Sequence, residues 1–166
     1  MKYKYKKEFL QWMFDHIRKM QDNMILLENN LDKLPFKLKP YDLIRRCIYH
    51  DLDKFKKDMI DAYYIFYCNC VMKDMKSPET VEKIRKKHYR ENRHHADFHI
   101  LTGKPFTNID LCEMCCDMLE RTAFNNNGNY RKIFFYCENK FFIKYPEMLK
   151  YKDRMYEIFN ILIELK

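Results

Sequence analysis

The chain has 166 residues, 47% of them hydrophobic and 34% charged, which suits one domain with a single buried core and excludes a disordered tail. Two glycines, Gly103 and Gly128, and one serine, Ser77, exclude a Walker loop, a dinucleotide fingerprint and a G-x-S-x-G hydrolase elbow, and argue against a turn-rich β-sandwich or barrel. The formal charge of +8, from 32 basic and 24 acidic residues, attracts phosphates and nucleic acid, although a general excess of Lys, Asn, Ile, Tyr and Phe is its simpler source.

Apolar residues at Leu10, Met13, Ile17, Met20, Met24, Leu27, Leu31 and Leu34 predict a first long helix, stopped by Pro35. Pro40 opens a second helix with Leu43, Ile44, Cys47 and Ile48 inward, and this runs into His50-Asp51-Leu52-Asp53-Lys54-Phe55. A third covers roughly Lys57 to Met72, packing Ile60, Tyr63, Tyr64, Tyr67 and Val71. Ser77-Pro78-Glu79 is a helix start: serine caps, proline fits the first turn, and glutamate suits the positive end of the dipole. That helix is predicted to run to about Leu101, where Gly103 and Pro105 end it. Thr107-Asn108 caps the next, from Ile109 to about Arg121. The polar stretch Asn125 to Asn129 is a loop. A short aromatic helix follows, about Tyr130 to Asn139, and Pro146 starts a last amphipathic helix through Met148, Leu149, Met155, Ile158, Phe159, Leu162 and Leu165. No β-alternation appears. The expected fold is all-α, a single domain over 1–166 with about seven helices.

Seven cysteines, odd in number and scattered, read as free thiols of a reducing compartment, hence a cytoplasmic protein. The lysine-rich Met1 to Lys7 is no signal-peptide core, and no apolar run has the length to span a bilayer, so no membrane partner is expected. Cys112 and Cys115 have zinc-knuckle spacing without a second pair, and pack better as small apolar groups.

Four of the six histidines fall in one stretch. Placed on one helix, His88, Asn92, His95 and His99 stand four, three and four apart and share the inward face with Val81 and Ile84. His94 lies off that stripe and ranks below its neighbours as a ligand. Asp110, Glu113 and Asp117 make an acidic face on the next helix, which repels itself unless a cation or a basic side chain intervenes. His50-Asp51 sits at a helix end, and His16 lies near the Met13/Met20 stripe. Each feature alone has an ordinary structural explanation. Together they put imidazoles and carboxylates, ligands suited to Zn, Fe or Mn, on the inward faces of four helices.

The order His16, His50-Asp51, His88, His95, Asp117 resembles the HD-domain superfamily of metal-dependent phosphohydrolases, and His50-Asp51-Leu52-Asp53-Lys54 matches its common HD-x-x-K form. Three blocks, His50 to Phe55, His88 with Asn92-Arg93-His94-His95, and Glu113 to Asp117, look like a small HD-like family of unassigned function from bacteria, phages and large viruses. The likeness covers about residues 15–117, with helices of 130–166 packing on that core; the G-Y-P triplet of the cyclic-dinucleotide branch is lacking. It implies one or two divalent ions (Mn, Fe, Zn or Mg) held by His16, His50, Asp51, His88, His95 and Asp117, with Asp51 bridging. Such an ion lowers the pKa of bound water from about 15.7 towards ~7, supplying hydroxide for attack on a nucleotide or other small phosphate ester.

Lys54 would hold a phosphate oxygen, or else form a surface salt bridge with Asp51 or Asp58. Glu113 would orient water or an imidazole, and Asn92 and Arg85 would contact substrate. Lys86 and Arg90 fall opposite His88, so the basic run from Lys83 to Arg93 is weak support for nucleic acid. A diiron oxygenase on the same scaffold, and a basic nucleic-acid-binding module with a structural metal, are the competing readings.

Overall fold

The computed structural model describes residues 4–70, 72, 73 and 79–166. These fold into α-helices and short 3₁₀ turns, with no strand among them, as the periodicities require. The elements are α1 (Lys6–Glu28), α2 (Asp42–Cys47), α3 (Lys57–Cys70), α4 (Glu79–Glu91), α5 (Ala96–Thr102), α6 (Asn108–Asn125), α7 (Lys132–Tyr136), α8 (Phe142–Lys144) and α9 (Lys152–Glu164). The expected Ser77-Pro78 start and Val71 lie outside the described residues.

Helix α1 organises the molecule because its inward stripe serves two cores. Phe9 and Met13 pack with Met59, Tyr63, Tyr64 and Tyr67 of α3. Met20, Met24 and Leu27, all fully buried, pack with Leu111, Cys115 and Leu119 of α6 and Ile158, Phe159 and Leu162 of α9. Burying such side chains contributes about 1.5–3 kcal/mol each before entropy is charged against it. His16 lies between the two sets, so the packing that builds both cores also fixes one imidazole at their junction.

Helix α1 ends at Glu28, earlier than Pro35 suggests, and Leu31–Lys33 is a separate 3₁₀ turn. The reason lies in side-chain bonding. Asn30 turns its amide back to the Leu26 carbonyl at 2.9 Å, and the Glu28 carboxylate accepts from the Tyr41 and Leu43 amides, 3.1 Å from the latter, serving the start of α2. Ile48, expected inward, is exposed, because α2 stops at Cys47 and the chain turns away. Leu149 is likewise exposed: Pro146–Tyr151 forms a 3₁₀ segment ahead of α9 rather than its first turns.

The largest departure lies between α4 and α5. The single helix expected to Leu101 breaks over Asn92 to His95. Asn92 bonds its own α4 carbonyl, His88 O, at 2.9 Å and the Asp53 carboxylate at 3.1 Å, and His95 adopts an extended conformation before α5. The start of α6 follows the expected cap. Thr107 accepts from the Asp110 amide while the Asp110 carboxylate accepts from the Thr107 amide, a complete capping box. The last segment before Pro146 is longer than expected, α7 continuing through a π turn at Cys137–Phe141 into α8.

Candidate metal centre

Asp51 is the pivot. Its backbone is left-handed (φ 58°), a conformation that few non-glycine residues adopt, and it follows α2 at the head of the 3₁₀ turn Leu52–Phe55. The turn aims a 1%-exposed carboxylate into the junction of the cores. Around one oxygen, Oδ2, stand His16 Nε2 at 3.2 Å and His50 Nε2 at 3.4 Å. Around the other, Oδ1, stand His88 Nε2 at 3.2 Å and His94 Nε2 at 3.5 Å. His95 Nε2 lies 3.0 Å from His88 Nε2, and Asp117 Oδ1 lies 3.2 Å from His16 Nε2.

Behind four of these imidazoles stands a carboxylate. His16 Nδ1 lies 2.6 Å from Glu120, His88 Nδ1 2.8 Å from Asp53, and His50 Nδ1 and His94 Nδ1 lie 3.0 and 3.3 Å from the same Glu113 oxygen. An ionised carboxylate only accepts, so each Nδ1 carries the proton and each Nε2 turns its lone pair towards Asp51. Lone pair then meets lone pair unless a proton or a cation lies between them. His50 Nε2, His94 Nε2, Asp51 Oδ1 and Asp117 Oδ1 are all buried without a hydrogen bond.

A metal ion resolves that conflict. Ligands about 2.0–2.1 Å from one ion lie roughly 3.0–3.4 Å from one another, close to the spacings seen here. Two groups of donors close enough to hold an ion share Asp51: His16 with His50, and His88 with His94 and His95. A third close trio, His50, His94 and Glu113, is accounted for by the Nδ1 hydrogen bonds. The residues fit a divalent cation, and their nitrogen-rich donor set suits Zn, Fe or Mn better than Mg.

The protonation equilibria carry the same signature. Burial disfavours charge on His16, but Asp117, Asp51 and Glu120 outweigh it and lift the imidazole to about 10. His94 is lifted to about 10 against its burial by Asp51 and Glu113. These two protons supply positive charge where a cation would otherwise sit. Burial lowers His50, and burial with the neighbouring His94 and His88 holds His95 well below its ordinary value. Despite burial, Asp51 and Asp117 stay well below the ordinary carboxylate range, Asp51 through His50 and Lys54 and Asp117 through His16 and Arg121. Glu113 is brought down to about 2 against its burial by His50 and His94.

Five of the six expected ligands, His16, His50, Asp51, His88 and His95, fall in these donor groups, and the sixth, Asp117, lies beside them against His16 and Arg121. His94, ranked below them on the sequence, also belongs to the cluster: the break after α4 rotates it inward, 3% exposed, onto Asp51 and Glu113. His99 keeps its inward position but not a place in the cluster. Its ring nitrogens bond the carbonyls of Arg93 and Lys104, and it stacks on Phe106 at 3.5 Å between centroids. Asp110, first of the three acids on α6, binds Arg93 through both oxygens and Arg46 through one.

Lys54 is no surface residue: 4% exposed, it contacts Asp51 directly, with Tyr63 beneath its ammonium. Glu113 takes the imidazole-orienting role. Asn92 is occupied with Asp53 and His88, and Arg85 with Glu82, Tyr89 and the face of Phe66. The orienting roles of Asp53 and Glu120 escape the sequence, although Asp53 inside the His50-Asp51 block and Glu120, one turn beyond Asp117, stand at helical spacings that could have marked them.

Fold and site together define an all-α protein with a buried histidine–carboxylate cluster able to hold a metal ion. Residues 5–160 match the family of unknown function DUF5662, and the chain belongs to that family. No curated protein and no solved structure matches it. Among the described residues no helix is long and apolar enough to cross a membrane.

Proposed function

We propose that the protein is a metal-dependent phosphohydrolase with an HD-like centre, acting on a nucleotide or another small phosphate ester. The observation that carries this reading is the division of the Asp51 carboxylate. Each oxygen faces its own set of imidazoles, His16 and His50 on one side and His88 and His94 on the other, so either set could hold a divalent ion together with Asp51.

A bound divalent ion would make hydroxide available at neutral pH and polarise the phosphoryl group. The chain's own groups do the rest. Glu113, Glu120 and Asp53 hold the imidazoles in one tautomer and orientation. In hydrolysis the water oxygen forms a bond to phosphorus, the ester P–O bond breaks, and the leaving oxygen takes up a proton. Lys54, buried against Asp51, helps keep that carboxylate charged and fixed in place.

The test is hydrolysis of p-nitrophenyl phosphate by protein reconstituted separately with Mn, Zn and Fe. Phosphatase activity that Asp51→Ala abolishes, and that Lys54→Ala reduces with metal retained, supports the reading. Metal-replete protein without turnover of this or any nucleotide ester contradicts it. An oxygen-sensitive iron pair would instead point to the oxygenase chemistry that the same ligands can serve.

A further inference from the structure

A cavity of about 760 Å³ opens beside the cluster. Its wall includes His95, Asp117 and Arg121 and, from the segment running from α7 to α8, Lys140 and Lys144. That segment lies outside the part of the chain that resembles the HD superfamily. It is built by the π turn Cys137–Phe141, which widens the helix at Lys140. Such turns cost regular hydrogen-bond geometry and recur at functional sites.

The charges of these two lysines are unmatched. Lys140 and Lys144 are exposed and, among the described residues, neither has a carboxylate partner; the Lys144 ammonium lies over the Tyr145 ring at 4.6 Å. Asp97, an acid that also lines the cavity, accepts from the Tyr145 hydroxyl at 2.6 Å. Arg121 contacts Asp117 at 3.5 Å while its buried Nε makes no hydrogen bond. Two ammonium groups without a carboxylate partner, lining one cavity with Arg121, favour an anion in that cavity. The volume exceeds what inorganic phosphate fills and lies in the range of sites for larger ligands.

We infer that Lys140 and Lys144 form a subsite for a second anionic group, so that the substrate is a phosphate ester carrying another phosphate beyond the scissile one. The inference rests on the metal-centre reading and specifies its substrate. Arg121, which lines the same cavity beside Asp117, is placed to contact the scissile phosphate.

The test compares adenosine 3′,5′-bisphosphate with adenosine 5′-monophosphate, which differ only in the second phosphate, by calorimetric titration of the full-length, metal-loaded and metal-stripped protein. The bisphosphate should bind the metal-loaded protein about tenfold more tightly. Lys140→Ala/Lys144→Ala should remove that preference while leaving monophosphate affinity and metal content unchanged, and Lys150→Ala, on the segment after α8, should keep it. Equal affinity for the two nucleotides, or a preference that survives the double substitution, overturns the subsite. Absence of bound metal with lysine-dependent bisphosphate binding intact would overturn the metal reading and leave the subsite standing.

Discussion

His16 of α1 and Glu120 of α6 meet at 2.6 Å across 104 residues of sequence, and that contact turns the other ring nitrogen of His16 towards Asp51 and Asp117. Glu120→Gln replaces an obligate acceptor with an amide that can also donate, and so releases the tautomer. Metal affinity should fall about 10–100-fold, with helical content unchanged. Competition with a chelator of known affinity measures it, and an unaltered affinity would remove Glu120 from the centre.

His94 and His99 form a matched pair, both buried and both in the stretch after α4. His94→Ala should weaken metal binding by at least about tenfold, since it removes a donor facing Asp51. His99→Ala should leave metal content intact and lower stability by roughly 1–3 kcal/mol, because the carbonyls of Arg93 and Lys104 lose their partner. Metal titration and urea unfolding of the two variants separate the roles; the opposite pattern would restore the continuous helical stripe.

That stripe shows what was legible. The fold follows from apolar spacing along α1, α3, α6 and α9, and the capping box at Thr107 is local chemistry that any reading of the sequence finds. The break at Asn92 is not local. No proline or glycine marks it, and the pattern 88, 92, 95, 99 is compatible with uninterrupted helix. What ends α4 is tertiary: Asn92 bonds Asp53, from the 3₁₀ turn after Asp51, and His94 is drawn to Asp51 and Glu113. Those partners lie on other elements, far beyond one helical turn, so helical periodicity could place His88 correctly and still assign His94 to the wrong face. The candidate ligands His16, His50, Asp51 and Asp117 were legible because imidazoles and carboxylates recur on inward-facing positions of several segments, where unpaired polar groups are costly.

Asp110 gives a pH dependence that owes nothing to metal. Burial opposes its ionisation, but Arg93, the Thr107 contacts and Arg46 outweigh that and hold the carboxyl below its ordinary 3.8. A depressed folded-state pKa contributes stability that is fully present above the unfolded value and is lost as pH falls through the folded one. Asp110→Asn should therefore cost about 1.5–3 kcal/mol at neutral pH, with the difference from wild type shrinking below about pH 4. Urea midpoints across pH 3–7 check it; a difference that grows on acidification contradicts the assignment.

The seven cysteines are all free, and Cys70 alone is exposed. Burial pushes Cys112 and Cys137 up to about 12 and Cys115 and Cys116 well above the ordinary thiol value. Thiol titration of the native protein should show one fast-reacting group, and denaturation without reductant should reveal all seven. Substitution of Cys70 by serine should remove the fast phase. Two or more thiols missing after denaturation would indicate a disulfide.

Asp51 sits where both sets of imidazoles meet, so the metal content of the protein purified without oxygen, wild type beside Asp51→Ala, tests the central claim most directly. Elemental analysis should find one or two divalent ions per wild-type chain and only traces in the variant, with both proteins helical by circular dichroism. Wild-type protein free of metal after reconstitution, or a variant carrying as much metal as the wild type, would contradict the account.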